Sequence, residues 1–237
     1  MHSSDFQQQF FAFSSTHVAV CGMNTHTGGL IVRSDGFCGG TLISANHVVT
    51  ATHCIEPKFG EDPFIQVKPL EVAALLGAYN LSEMFQNERF TLSPDEIQVH
   101  PEWNSKVERF NANIVILKFA DSRKSFSRYV EPICIWGFGS LPSVMEGYVA
   151  GWGQTEVGRN ERKSTPRARQ VPMLTNENCF LNSKDLVKLS SNRAFCAGYQ
   201  NGTGVCLGDS GNGFKSETIS TSGELFLRVV PRCSAVK

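Results

Sequence analysis

Phe37-Cys-Gly-Gly-Thr-Leu-Ile-Ser-Ala-Asn-His-Val-Val-Thr-Ala-Thr-His53-Cys54 is the stretch of this 237-residue chain that decides its fold. It holds two short runs, Gly40–Ile43 and His47–Val49, rich in the β-branched and apolar residues that suit a pleated, half-buried surface. A cysteine stands beside His53, and a second one, Cys38, stands near the start of the stretch. That pattern suggests a hairpin stapled at its base, with a histidine held rigidly beside the staple. A buried histidine in a disulfide corner, with no chemical role, fits the segment equally well.

Outward from this segment the same texture recurs. Short β-branched and aromatic runs lie at His17–Val20, Ile65–Val67, Glu96–Val99, Ile114–Phe119, Gly147–Ala150 and Leu225–Val230. Turn residues separate them, drawn from 21 Gly and 10 Pro. This spacing predicts an all-β sandwich or barrel rather than alternating strands and helices. One helix is expected within Thr175–Leu189, where Asn176 could cap the start, although Cys179 and Phe180 also fit a packed turn. A polar passage at Asp121–Ser127 divides the chain into two β units.

Composition narrows the function classes. Hydrophobic residues make up 41% and charged residues 19%, a globular balance. Lys+Arg and Asp+Glu are 22 each, so the formal net charge is zero. This tells against a nucleic-acid or anionic-membrane partner held by bulk electrostatics. No apolar run approaches the roughly 18 residues of a membrane span; Val72–Leu76 is typical of what there is. Eight cysteines without a Cys-x-x-Cys pair favour disulfides over zinc, and no metal-ligand cluster is evident among the histidines and carboxylates. The start of the chain has neither a basic nor an apolar export region, so a disulfide-bearing chain of this kind is expected to lack its true N-terminus.

Two further segments could carry chemistry. In Gly204-Val-Cys206-Leu-Gly208-Asp209-Ser210-Gly211-Asn212-Gly213, a serine sits between an aspartate and a glycine on a tight turn. Backbone N–H groups of Gly208 and Ser210 could there point into one small cavity, which suits a nucleophile with an oxyanion hole. An ordinary Asp-Ser-Gly turn is the plainer reading. Asn111-Ala-Asn113-Ile-Val-Ile-Leu-Lys118 is by itself no more than a strand start.

Taken together, the three segments resemble the trypsin/chymotrypsin family of serine peptidases. The His53 segment resembles that family's Cys-Gly-Gly-x-Leu-Ile and Thr-Ala-x-His-Cys landmarks. The Ser210 segment resembles its Cys-x-Gly-Asp-Ser-Gly-Gly. Val130-Glu-Pro-Ile-Cys134 and Val149-Ala-Gly-Trp152-Gly153 are similar to two more, the former most like extracellular modular proteases of arthropods. The likeness spans roughly His17 to Gly213. It implies two antiparallel β-barrels with the site between them: residues 17–121 as the first and 122–237 as the second, after an irregular segment 1–16. It further implies a secreted endopeptidase that acts on protein or peptide substrates through an acyl-enzyme, without a cofactor.

Residue by residue, the resemblance makes His53 the general base, Ser210 the nucleophile, Gly208 and Ser210 the oxyanion-hole amides, and Gly204 the floor of an uncharged specificity pocket. It pairs Cys38 with Cys54, Cys179 with Cys196, and Cys206 with Cys233. That leaves Cys21 and Cys134, the latter matching a cysteine that tethers relatives to an upstream pro-segment. Several departures stand against this pattern. Asn113 occupies the place of the triad aspartate. Donating its amide to Nδ1 would put the histidine's proton on Nε2, which must accept the serine proton. Nothing in Met1–Thr16 resembles the family's activated N-terminus, the expected partner of Asp209. Asn212 replaces a glycine. The chain stops where a further substrate-binding strand would run, so the second barrel is expected to be incomplete, with Leu225–Val230 at or near an edge. A catalytically inactive homologue that binds or regulates is the alternative to a weakened peptidase.

Overall fold

The computed structural model describes residues 17–24, 31–55, 68–83, 89–104, 111–120, 130–135, 146–155, 164–182, 193–199, 204–216 and 224–227. These form two sheets, and the fold is all-β, as the turn spacing predicts.

The first sheet contains β1 (His17–Asn24), β2 (Ile31–Ser44), β3 (His47–Thr50), β4 (Val72–Leu76), β5 (Phe90–Leu92), β6 (Glu96–Val99) and β7 (Val115–Lys118). Its strand order is β5-β4-β1-β2-β3-β7-β6. The decisive hairpin is β2–β3, with Thr41 opposite Val49 and Leu42 opposite Val48. Alternation then places Leu42, Val48, Val72, Ala74, Leu76, Val115 and Leu117 in one buried cluster. The other face of β4 is buried too. Its Leu75 packs with Ala78 and Trp152, the latter from the second half of the chain.

The second sheet contains β8 (Cys134–Ile135), β9 (Glu146–Gly151), β10 (Arg167–Leu174), β11 (Cys196–Ala197), β12 (Gly213–Ser216) and β13 (Glu224–Leu227), in the order β11-β10-β9-β12-β13-β8. Its ladders are antiparallel except β13–β8, which is parallel and departs from the all-antiparallel expectation. Among the described residues the sheet is open, with β11 and β8 at its ends, and β13 lies one strand inside the edge. Val171 and Phe214 are its buried centre, and Phe195 meets Phe214 edge-on at 5.3 Å.

Only one α-helix occurs among the described residues, α1 (Asn176–Asn182). Its cap is Thr175 rather than Asn176: the Thr175 hydroxyl oxygen accepts the Asn178 N–H at 3.2 Å. The runs expected at Ile65–Val67 and the boundary expected at Asp121–Ser127 lie outside the described residues. So do the segment 1–16 and Cys233. Among the described residues no helix is long and apolar enough to cross a membrane.

The two sheets are stitched together by specific polar contacts. Trp152 Nε1 donates to the Tyr79 carbonyl at 3.0 Å, and the Leu81 N–H donates to the Ser164 carbonyl at 2.7 Å. The Ile133 N–H donates to the Leu42 carbonyl at 2.9 Å, Arg193 pairs with Glu102, and a further set of contacts converges on Ser210.

Candidate active site

His53 lies in a 3₁₀ turn, Thr52–Cys54, at the end of β3. The Cys38–Cys54 disulfide ties that turn to β2, with Cα atoms 6.0 Å apart. Asn113 sits just before β7, which pairs with β3. Its neighbour Ala112 holds a left-handed φ of 57°, a strained conformation for a residue with a Cβ and one that recurs at functional sites. The Asn113 amide makes two bonds to one residue. Oδ1 accepts the His53 backbone N–H at 3.0 Å, and Nδ2 lies 2.7 Å from His53 Nδ1. The first bond fixes the second. A backbone N–H can only donate, so oxygen must face it and the NH₂ group must face the ring. Nδ1 is then the acceptor, and the neutral imidazole carries its hydrogen on Nε2. That atom lies 3.8 Å from Cys54 Sγ.

Ser210 approaches from the second sheet. Its carbonyl accepts the Gly39 N–H at 2.6 Å, and Gly39 is the residue after the disulfide-bonded Cys38. Thr41 Oγ1 accepts the Gly213 N–H at 3.2 Å, and Thr50 Oγ1 donates to the Gly39 carbonyl at 2.7 Å. Gly211, at φ 84°, lies so close to that carbonyl and hydroxyl that a Cβ would overlap both. The serine loop is thereby fastened to the strand that carries the staple beside His53. Ser210 is buried, with 9% of its surface exposed.

The Leu207–Gly208 and Asp209–Ser210 peptides are held by their carbonyls. The Leu207 carbonyl accepts the Gln154 N–H at 2.8 Å. The Asp209 carbonyl accepts the Asn212 N–H at 3.3 Å and Asn212 Nδ2–H at 3.1 Å. In a trans peptide the N–H points opposite to the C=O. The Gly208 and Ser210 N–H groups therefore face away from those anchors, and neither has an acceptor among the described residues. Gly208 adopts φ 97°, which a Cβ would oppose.

Asp209 projects the other way. Its Oδ1 accepts the Gly153 N–H at 2.8 Å and its Oδ2 the Cys206 N–H at 2.9 Å. Burial pushes its carboxyl above the usual carboxylate range, opposed by these two bonds and by the nearby Arg167 charge. The Asp209 carboxylate is thus satisfied by main-chain donors, contacts that the sequence does not disclose. Gly153 stands in the Trp152-Gly153 landmark, but it and Gln154 contribute only backbone N–H groups, for which no side-chain signal exists.

Cys179–Cys196 is a disulfide with Cα atoms 6.2 Å apart. Cys206 is disulfide-bonded, while Cys233, its expected partner, is not among the described residues. Gly204 is exposed, and a Cβ there would meet none of the described residues within 4 Å. Ligand atoms of Cys38, His53 and Cys54 lie within 4.8 Å of one another, but both sulfurs are bonded to each other and offer no thiolate to a metal.

Known proteins with similar sequences agree with this architecture. The chain is 29% identical over 201 residues to serine protease gd of Drosophila melanogaster, covering 74% of this chain and 37% of that protein. It is 30% identical over 202 residues to coagulation factor IX of Oryctolagus cuniculus, covering 80% of this chain and 64% of that protein. Against coagulation factor IX of Cavia porcellus the identity is 27% over 194 residues, covering 80% and 62% respectively. The matched part of the chain thus spans less than two thirds of each of these relatives. The family profile described as Trypsin matches residues 15–218, nearly the whole of both sheets. The chain belongs to the trypsin family of serine peptidases.

Proposed function

We propose that this domain hydrolyses peptide bonds through an acyl-enzyme on Ser210, with turnover held low by Asn113. The observation that supports it most is the serine loop: two N–H groups with no acceptor among the described residues, those of Gly208 and Ser210, flank a serine fastened beside the His53 turn. Ser210 Oγ attacks the scissile carbonyl, and the two N–H groups stabilise the oxyanion that develops. His53 takes the serine proton on Nε2, then returns it to the leaving amine. Water repeats the cycle on the acyl-enzyme.

The first proton transfer needs the Nε2 lone pair, and the Asn113 amide favours the opposite tautomer. Each turnover therefore begins with a disfavoured histidine, and the imidazolium that forms has no carboxylate beside Nδ1. In the protease triad an Asp→Asn change lowers kcat about 10⁴-fold, and the same scale applies here.

Substrates are proteins or peptides. A glycine at position 204, in place of a charged residue, suits an uncharged, apolar side chain in the specificity pocket. Two described disulfides support an oxidising, extracellular setting. Cys134, whose backbone lies in β8, serves as the tether for an upstream pro-segment.

The second reading, a homologue that binds without cutting, is favoured by the same Asn113 amide on Nδ1. Acylation by p-nitrophenyl acetate, followed by intact-mass analysis, separates the two. A weakened peptidase gains one acetyl group slowly on Ser210, and Ser210→Ala gains none at that position. Wild-type protein that never acquires the Ser210 label is a non-cleaving homologue.

A further inference from the structure

We infer that Asn212 is a positioning residue that aims the Ser210 N–H through its side-chain amide, an assignment resting on the peptidase reading above. Asn212 is buried, with 6% of its surface exposed, and lies where the two sheets meet. Its amide fits against backbone that lacks side chains: a Cβ on Gly39 of β2 would fall inside it, and one on Gly151 of β9 would overlap both its Nδ2 and Asp209 Oδ1. Nδ2 donates to the Asp209 carbonyl at 3.1 Å. Oδ1 has no hydrogen-bond partner among the described residues. This orientation is fixed, because the reversed amide would set two acceptor oxygens against each other.

The Asp209 carbonyl and the Ser210 N–H belong to one planar peptide. Holding the oxygen on one side holds the hydrogen on the other. The main-chain N–H of Asn212 reaches the same carbonyl at the longer distance of 3.3 Å, so the side-chain amide is the shorter of two tethers. A glycine at this position would supply only the longer one. A side chain whose buried oxygen has no partner among the described residues, while its nitrogen grips this carbonyl, is placed for that grip. Asn212 touches neither substrate nor Ser210 Oγ in this role; it acts through the peptide plane.

The test compares the wild-type chain with Asn212→Leu and Asn212→Gly. Leucine keeps the branched shape without the donor, and glycine removes both, so a folding failure of one leaves the other. Two quantities are read. The first is the split of p-nitrophenyl acetate acylation into a binding constant and a rate constant. The second is the residual dipolar coupling of the Ser210 N–H, which reports its direction and needs no activity. In Asn212→Gly the rate constant should fall about fivefold, the worth of one neutral hydrogen bond. In Asn212→Leu the loss should approach the value for a misdirected oxyanion donor, up to about 10²-fold. The binding constant should stay unchanged in both, and the Ser210 coupling should change in both. A wild-type rate constant and coupling in Asn212→Leu would overturn the assignment. If the wild-type chain shows no Ser210-dependent acylation, the peptidase reading fails and the coupling alone decides. An unchanged coupling in both variants would then overturn the role of Asn212.

Discussion

Asn113→Asp should convert this site from a slow to a fast one. The carboxylate has the shape of the amide, so one oxygen keeps the His53 backbone N–H now held at 3.0 Å. The other replaces a donor 2.7 Å from Nδ1 with an acceptor. The ring must then carry its hydrogen on Nδ1, which leaves the Nε2 lone pair for the serine hydroxyl. The same oxygen faces the imidazolium formed during attack. Two unit charges at that separation attract by about 6 kcal/mol at an effective dielectric of 20. Loss of the triad aspartate lowers kcat about 10⁴-fold, equivalent to about 5.5 kcal/mol of barrier. The two figures agree in scale. The assay is steady-state hydrolysis of a peptidyl p-nitroanilide with an apolar residue before the scissile bond, with Ser210→Ala in the Asn113→Asp chain as control. The rate constant should rise by orders of magnitude with little change in KM, and the control should abolish the gain. A rise of less than tenfold would refute the reasoning and move the limiting defect to the oxyanion turn.

Three other outcomes follow from named contacts. Replacing Cys38 and Cys54 together by Ala opens a loop with a sequence separation of 16, costing about 3 kcal/mol. The melting temperature, read by calorimetry, should fall by about 6–12 °C. Gly39→Ala drives a methyl into the Asn212 amide and should destabilise by about 1–3 kcal/mol in denaturant titration. Adding Asn212→Gly should recover most of that loss, and simple additivity of the two changes would count against the packing described. Burial of Asp209 raises its carboxyl above the ordinary range, so between its unfolded and folded values the native state binds more protons. Stability from this group is therefore fully present below the unfolded value and is lost as pH rises through the folded one. Unfolding free energies across acidic to neutral pH should show wild type losing ground to Asp209→Asn as pH rises; a flat or opposite difference would remove burial as the dominant cause.

The parts of the fold most legible in the sequence were those with regular alternation. Glu96–Val99 is a strand with the bounds that its residues suggest, and Gly147–Ala150 extends by one residue at each end. Arg167–Leu174 escaped notice because its exposed Arg167 and Gln170 and its Pro172 break the apolar rhythm, although it pairs on both sides. Val72–Leu76 read only as an apolar run, since burial of both faces erases alternation. At the site, His53 and Ser210 stood out because their neighbours are specific. Asn113 stood out by departing from the aspartate that such a segment usually carries. The contacts of Asp209 with Gly153 and Cys206 were illegible because backbone N–H groups are common to every residue except proline. The grip of Asn212 on the Asp209 carbonyl depends on the turn between them, which only the folded chain supplies.

The central claim is that the Asn113 amide holds His53 with its hydrogen on Nε2. Ring ¹⁵N NMR of labelled protein, at a pH where His53 is neutral, tests it most directly. A protonated-type Nε2 and an unprotonated-type Nδ1 in wild type, exchanging places in Asn113→Asp, is the predicted result. A wild-type ring that already carries its hydrogen on Nδ1 would contradict the account.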